Sequence, residues 1–143
     1  MKKEIWFDMD GTIADLYGVE GWLEKLINSD PAPYKEARPL LRMATLARVL
    51  NRLQREGWEI GIVSWLSKNG TDTYNKAVTE VKKEWLMVHL KSVHFNYIDI
   101  IPYGTPKEKN RNGLLFDDEE KNRKNWTGTA YDENKILEIL KAL

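Results

Sequence analysis

Short apolar runs alternate with longer amphipathic segments along this chain of 143 residues, and this alternation limits the possible folds more than any other feature. The β-prone runs, each ended by polar or turn residues, lie at 4–8, 58–63, 97–101 and 113–116, with a further short one at 129–131. Apolar residues recur at helical spacing at 16–27, 40–55, 71–90 and after 132. Strands separated by helices long enough for crossovers predict an α/β fold with a mostly parallel central sheet, covered on both faces.

The composition predicts one folded domain that spans residues 1–143 and works in a reducing compartment. Hydrophobic residues make up 42% of the chain, which is enough to bury one core. Its 22 basic and 22 acidic residues balance, so no overall field attracts nucleic acid or an anionic membrane. The absence of cysteine excludes disulfides and thiol nucleophiles. Because no apolar run is long enough for a signal peptide or a membrane span, we expect a cytoplasmic protein without a membrane partner.

Polar clusters follow three of the predicted strands, at 8–12, 64–69 and 117–122. Ligands of parallel sheets bind beyond the carboxyl ends of the strands, so we expect these clusters to converge. In the first cluster, Asp8 and Asp10 stand two residues apart at the end of a buried strand. Two such charges are costly unless a cation lies between them. The alternative for this cluster is an Asx turn that caps the next helix.

The segment FDMDGT at 7–12 resembles the opening motif of the phosphatases of the haloacid dehalogenase superfamily. The resemblance implies a Rossmann-like, three-layer α/β/α domain in which Asp8 attacks phosphorus and becomes an aspartyl phosphate. Asp10 would then act first as a general acid and later as a general base. Gly11 would let the backbone approach the phosphate, and Thr12 would add a hydroxyl donor.

Two further motifs of this family consist of single residues after strands. Ser64 follows the second strand, where the family has a Ser or Thr that donates a hydrogen bond to the phosphoryl group. The family also has a Lys that neutralises the phosphoryl group and the attacking carboxylate. Lys107 has the matching position, Lys109 remains a candidate, and Lys68 is a more distant one. Taken alone, the Ser is more often a turn residue and each Lys more often a solvated surface charge.

The adjacent acids Asp117 and Asp118 follow an apolar strand and resemble the acidic metal motif of the same family. The resemblance implies Mg²⁺ as cofactor, because this ion prefers oxygen ligands and is often held by one or two carboxylates together with a substrate phosphate. The implied ligands are the Asp8 side chain, the Asp10 backbone carbonyl and one carboxylate of the pair. Side chains alternate along an extended segment, so only one of Asp117 and Asp118 points easily at the metal, and the sequence leaves that choice open.

The interval between the first two motifs leaves residues 15–39 for a small cap made of one helix and a proline-bearing loop. Such a cap leaves the site open to a small phosphomonoester or to a larger phosphorylated end. The start DMDGTIADL and the ending DDEEKN look most like the 5'-nucleotidase branch, which includes deoxyribonucleotidases. Trp65 is the preferred residue for contact with a nucleotide base, whereas the helical spacing around Trp22 favours core packing. Tyr17 and Tyr34 could add aromatic surface.

Two other functions remain open at this point. A phosphatase of nucleic-acid or protein ends would share all four motifs, and a patch of basic residues would favour nucleic acid. That patch would consist of Lys107, Lys109, Arg111, Lys121, Arg123 and Lys124. A non-enzymatic phosphate-binding protein would tolerate the loss of Asp8 or Asp10, and the chain retains both. The best interpretation is a magnesium-dependent phosphomonoesterase that acts on a nucleotide or another small phosphomonoester.

Overall fold

The structure is a computed structural model that describes residues 2–143. Its strands are β1 (Glu4–Phe7), β2 (Ala14–Asp15), β3 (Arg38–Pro39), β4 (Glu59–Trp65), β5 (Tyr97–Ile101), β6 (Leu114–Phe116) and β7 (Thr129–Tyr131). Five of them form one sheet in the order β5-β4-β1-β6-β7, and every neighbouring pair in it is parallel. The predicted parallel α/β architecture is therefore confirmed, with β1 at the centre between β4 and β6.

The helices are α1 (Trp22–Ile27), α2 (Ala32–Glu36), α3 (Met43–Arg55), α4 (Asp72–His89), α5 (Glu120–Asn125) and α6 (Ile136–Lys141). Helix α4 begins one residue later and ends one residue earlier than the predicted 71–90. The Thr71 side chain caps its N-terminus by accepting from the Tyr74 N–H. Helix α3 begins at Met43, three residues later than the predicted start at Leu40. Among residues 2–143, no helix has the length and apolar character needed to cross a bilayer.

The two faces of the sheet are covered to different depths. Alternate strand residues, such as Ile5, Ile62 and Phe116, point to one face and share the main core with α3, α6 and the end of α4. Trp6 points to the other face, where it forms a smaller cluster with Trp126, the residue that follows α5. The structure thus has three layers, and the layer that contains α5 is thin.

Residues 15–39 differ from the expected single helix followed by a loop. A 3-10 turn at Leu16–Gly18 comes first, pinned by the Asp15 side chain, which accepts from the Gly18 N–H. The left-handed φ of 70° at Gly21 then separates this turn from α1, so the prediction of one continuous helix is wrong. The predicted loop contains α2 and β3 instead. Strand β3 pairs antiparallel with β2, which brings the two ends of the insertion together.

Candidate active site

The predicted polar clusters converge at the carboxyl ends of β1, β4 and β6. Asp8 directly follows β1, and its backbone N–H donates to the carbonyl of Phe116 at 3.0 Å, which ties this position to the end of β6. Carboxylate oxygens of Asp8, Asp117 and Asp118 all lie within 4.8 Å of one another. The parallel topology therefore places the first and fourth motifs at one site, as the sequence predicted.

Lys107 lies between two of these carboxylates. Its ammonium donates to Asp8 Oδ1 at 2.9 Å and to Asp117 Oδ2 at 2.8 Å, and the residue is only 3% exposed. Burial by itself would lower the pKa of Lys107, but the two carboxylates outweigh burial and raise that pKa above its usual value. Of the three candidate lysines, Lys107 is the one in contact with Asp8. The exposed Lys68 lines the same cavity as Asp8 and Asp10, whereas Lys109 lines a different one.

Thr12 is buried against the carboxylates. Its hydroxyl lies 3.0 Å from Asp8 Oδ2 and 3.2 Å from Asp118 Oδ1, and it accepts from the Asp118 N–H at 3.1 Å. The preceding Gly11 has a left-handed φ of 81°, and a Cβ there would overlap the carboxylate of Asp118. Both residues thus fit the packing around Asp118, while their predicted contact with a phosphate stays a prediction.

The two adjacent acids have different surroundings. Both oxygens of Asp117 are engaged, Oδ2 by Lys107 and by Asn122 Nδ2 at 3.2 Å, and Oδ1 by the Glu119 N–H at 2.9 Å. Burial and the nearby Asp8 raise the pKa of Asp117, and they raise the pKa of Asp118 to about 8. Carboxyl groups crowded in this way favour a bound cation, and an all-oxygen donor set suits a hard cation such as Mg²⁺. The residues present therefore fit the metal that the sequence implied.

Asp10 pairs with a second buried lysine, Lys82, which the sequence motifs did not identify as a site residue. The ammonium of Lys82 in α4 donates to Asp10 Oδ2 at 3.0 Å, to Ser64 Oγ at 2.8 Å and to the Trp65 carbonyl at 2.9 Å. Burial raises the pKa of Asp10 above its usual value, aided by Asp8 and opposed by Lys82. Ser64 is fully buried with Lys82 as its partner, and its predicted donation to a phosphoryl group stays a prediction.

A signal for Lys82 does exist in the sequence. Tyr74, Val78, Lys82 and Leu86 stand at i, i+4 intervals and are all buried along α4. Lys is almost never fully buried without a partner, so a Lys within an apolar helical row points to a buried acceptor. A pattern made of apolar residues alone does not include Lys82.

A cavity of about 250 Å³ opens in front of Asp8 and Asp10. Five aromatic residues contribute to its walls, namely Tyr17, Trp22, Tyr34, Trp65 and Tyr103. Three of these come from the insertion 15–39, so this segment forms one side of the cavity. Trp22 lies in that wall, edge-on to Tyr17 with ring centroids 5.0 Å apart, and it also packs against the buried Leu16 cluster.

Trp65 belongs to both the cavity wall and the surroundings of Lys107. Its indole Nε1 donates to the Thr105 carbonyl at 2.8 Å, which fixes the ring against the turn that precedes Lys107. The Lys107 ammonium lies 5.1 Å from the ring centroid. The half-buried Trp65 thus packs against this turn and Lys107, and it also forms part of the cavity wall.

The basic residues considered as a nucleic-acid patch have separate partners and locations. Arg111 pairs with Asp99 at 2.9 Å and lines a second cavity together with Lys109. Arg123 donates to the backbone carbonyl of Asp117. The only basic side chains in the wall of the central cavity, within residues 2–143, are Lys68 and Lys107. This division gives no support to a continuous basic surface around the site.

Comparison with known proteins shows a similarity of fold to a solved structure. No family model matches the chain, and no curated protein matches it. Among solved structures, it is similar to the D,D-heptose 1,7-bisphosphate phosphatase from Burkholderia thailandensis, with 15% sequence identity and a TM-score of 0.51. The match covers 86% of this chain and 70% of that chain. The chain therefore shares its α/β fold with a phosphatase of known structure.

Proposed function

We propose that this chain is a magnesium-dependent phosphomonoesterase of the haloacid dehalogenase superfamily, with Asp8 as its nucleophile. The observation that carries the proposal is the pair Asp8 and Asp10, which line one cavity while each carboxylate is held by its own buried lysine. The shared fold with a phosphatase and the order of the four sequence motifs support the same function. The reaction is the hydrolysis of a phosphate ester to an alcohol and inorganic phosphate.

In the first step, a carboxylate oxygen of Asp8 forms a bond to phosphorus as the bond from phosphorus to the leaving oxygen breaks. Asp10 transfers its proton to that oxygen, so the product leaves as an alcohol. Burial near Asp8 favours the protonated form of Asp10 because it raises the pKa of that carboxyl group. In the second step, the Asp10 carboxylate takes a proton from water and the water oxygen bonds to phosphorus as the bond from phosphorus to the Asp8 oxygen breaks, which frees inorganic phosphate and restores the Asp8 carboxylate.

Lys107 holds Asp8 in place. The Asp8 carboxylate is the nucleophile, and the ammonium at 2.9 Å from Oδ1 fixes the orientation of that carboxylate. The same ammonium bears the positive charge nearest to the carboxylate that meets the incoming phosphate. Asp117 receives another hydrogen of this ammonium at 2.8 Å and so holds Lys107 toward Asp8.

The Asp8 and Asp118 carboxylates and the backbone carbonyl of Asp10 would hold Mg²⁺. Between the two acids, we propose Asp118 as the direct ligand, because both oxygens of Asp117 already accept from Lys107, Asn122 and the Glu119 N–H. When bound, Mg²⁺ offsets the repulsion between Asp8 and the phosphate dianion. The Thr12 hydroxyl contacts the carboxylates of both Asp8 and Asp118 and so fixes their positions relative to each other.

For the substrate, we propose a nucleoside monophosphate, the 5'-nucleotidase activity that the sequence suggested. The aromatic wall of the cavity is the supporting feature, since stacking on an aromatic side chain is worth about 1–3 kcal/mol per base. Trp65 and Tyr103, with ring centroids 5.2 Å apart, lie on the side of the cavity that also holds Lys107. A base stacked there would leave its phosphate within reach of Asp8.

A panel of phosphomonoesters assayed with Mg²⁺ tests this proposal. We expect phosphate release from nucleoside monophosphates with a higher kcat/KM than from hexose phosphates of equal charge. Acid quenching during turnover, followed by mass spectrometry of the peptide with Asp8, should detect the phosphorylated carboxylate. Turnover without any label on Asp8 would refute the covalent mechanism, and a preference for the sugar phosphates would refute the nucleotide assignment alone.

A further inference from the structure

Lys82 is a buried cation that the mechanism above does not use. It projects from α4 into the site, and it is 1% exposed. The ammonium has three hydrogens and three acceptors within 3.0 Å, on Asp10, Ser64 and the Trp65 backbone. No hydrogen remains for a substrate phosphate. Any effect of Lys82 on the reaction must therefore act through the groups that it holds.

The polarity of these hydrogen bonds decides what Ser64 offers. A lysine ammonium is only a donor, so Ser64 Oγ must accept from it. The hydroxyl hydrogen of Ser64 then points away from the ammonium. Lys82 thus fixes the position of the buried Ser64 side chain, and Ser64 in turn helps to hold the ammonium.

The same reasoning applies to Asp10. Lys82 donates to Oδ2 of this carboxyl group at 3.0 Å, so the ammonium holds one oxygen of Asp10 and does not occupy Oδ1. The Trp65 carbonyl and the ring of Tyr34, whose centroid is 5.1 Å from the ammonium, fix Lys82 from two other sides. An ammonium held in this way gives Asp10 one orientation.

We propose that Lys82 is a positioning residue that fixes the Asp10 carboxyl group for its proton transfer to the leaving oxygen. This inference rests on the proposed function, because it assigns Lys82 to the proton transfer of that reaction. Its distinctive consequence concerns the leaving group. Loss of Lys82 must harm esters that need protonation far more than esters that do not.

The test compares 4-nitrophenyl phosphate with 4-nitrobenzyl phosphate in wild type, Lys82→Met and Lys83→Met. The two esters share a ring, but nitrophenolate departs without a proton while the benzyl alkoxide needs one. Lys83 neighbours Lys82 on α4 and is exposed, so Lys83→Met is the matched control for loss of one charge. The readout is the ratio of kcat/KM for the two esters, measured as inorganic phosphate released, and this ratio does not depend on the folded fraction.

We expect Lys82→Met to lower the benzyl-to-phenyl ratio by about 10-fold or more, a part of the 10²–10⁴-fold that general acid catalysis contributes. Lys83→Met should leave the ratio unchanged. In an Asp10→Asn background, the added Lys82→Met change should no longer alter the ratio, because the proton donor is already gone. Lys82→Gln is one bond shorter than Lys and has two N–H hydrogens for the three acceptors, so it should shift the ratio in the same direction, and it serves if the Met variant does not fold.

An unchanged ratio in Lys82→Met or Lys82→Gln, with both esters slowed equally, would overturn the positioning role and reduce Lys82 to a structural residue. A shift of the same size in the Asp10→Asn background would also overturn it. Failure of the proposed function gives a different result, since the wild type would then release phosphate from neither ester.

Discussion

Two buried lysines hold the two carboxylates that follow β1, and the two lysines differ in the number of carboxyl groups around them. Lys107 donates to the carboxylates of Asp8 and Asp117. Lys82 donates to one carboxylate, that of Asp10, and completes its bonding with a hydroxyl and a backbone carbonyl. The Lys107 side of the site, formed by Lys107, Asp8 and Asp117, thus has two carboxyl groups around one ammonium, with that of Asp118 close by. The Lys82 side, formed by Lys82, Asp10 and Ser64, has one.

This difference suits the two tasks that we propose. The three carboxyl groups of Asp8, Asp117 and Asp118 offer oxygen ligands for a divalent cation next to the nucleophile. The single carboxyl group beside Lys82 is not crowded by other acids bound to the same ammonium, and Lys82 holds it in one orientation. Disturbing the Lys107 side should therefore affect metal and stability, while disturbing the Lys82 side should affect proton transfer.

The largest effect is expected from Asp8→Asn. A neutral amide cannot form the aspartyl phosphate, so kcat should fall by at least about 10⁴-fold, as for other lost nucleophiles. Asp72→Asn is the matched control, because Asp72 is exposed in the first turn of α4. Steady-state kinetics and the quenched-enzyme mass spectrum measure both variants. Turnover of Asp8→Asn at the control rate would remove Asp8 from its proposed role.

Metal removal is expected to have the next largest effect and to separate the two sides of the site. EDTA should abolish phosphate release, and Mg²⁺ should restore it. A binding readout accompanies this, because Mg²⁺ should raise the melting temperature of wild type by stabilising the folded state alone. Asp118→Asn should lose most of that rise, while Lys82→Met should retain it. An equal rise in wild type and Asp118→Asn would exclude Asp118 as a ligand.

Lys107→Ala should lower stability and activity together. It leaves Asp8 and Asp117 without their cation, and breaking a buried pair in this way costs about 3–5 kcal/mol of unfolding free energy. Lys109→Ala is the control and should change stability by less than about 0.5 kcal/mol, because Lys109 is exposed. Urea unfolding and kcat/KM measure the pair. A greater loss in Lys109→Ala would reassign the site lysine.

The meeting of Asp8 with Asp117 and Asp118 could be predicted from the sequence because it depends on topology alone. Apolar strands followed by acids end at the same edge of a parallel sheet, and β1 and β6 are neighbours in it. Side-chain detail could not be obtained in this way. The choice between Asp117 and Asp118 depends on which oxygens Lys107 and the loop backbone already occupy.

Lys82 and the insertion show what a local pattern misses. The apolar residues of the predicted helix 71–90 include Val88, which is 73% exposed, whereas the charged Lys82 is buried. The insertion is divided by the backbone of Gly21, and its ends are joined by pairing between β2 and β3 across 22 residues that no local periodicity predicts. The burial of Lys82 against Asp10 and the pairing of β2 with β3 both depend on contacts between segments that are distant in sequence.

Trp65→Ala is expected to have the smallest effect, and it tests whether the Lys107 side also selects the substrate. Loss of a stacking ring worth about 1–3 kcal/mol should raise KM for a nucleoside monophosphate by about 5-fold or more, with little change for glycerol phosphate, which has no ring. Trp65→Phe, which retains a ring but not the bond from Nε1 to the Thr105 carbonyl, is the matched control and should retain most of the nucleotide preference. Melting temperatures of both variants report any loss of packing around Lys107, whose ammonium lies 5.1 Å from this ring. Equal losses on both substrates, together with a lower melting temperature, would show that Trp65 supports Lys107 and does not contact the base.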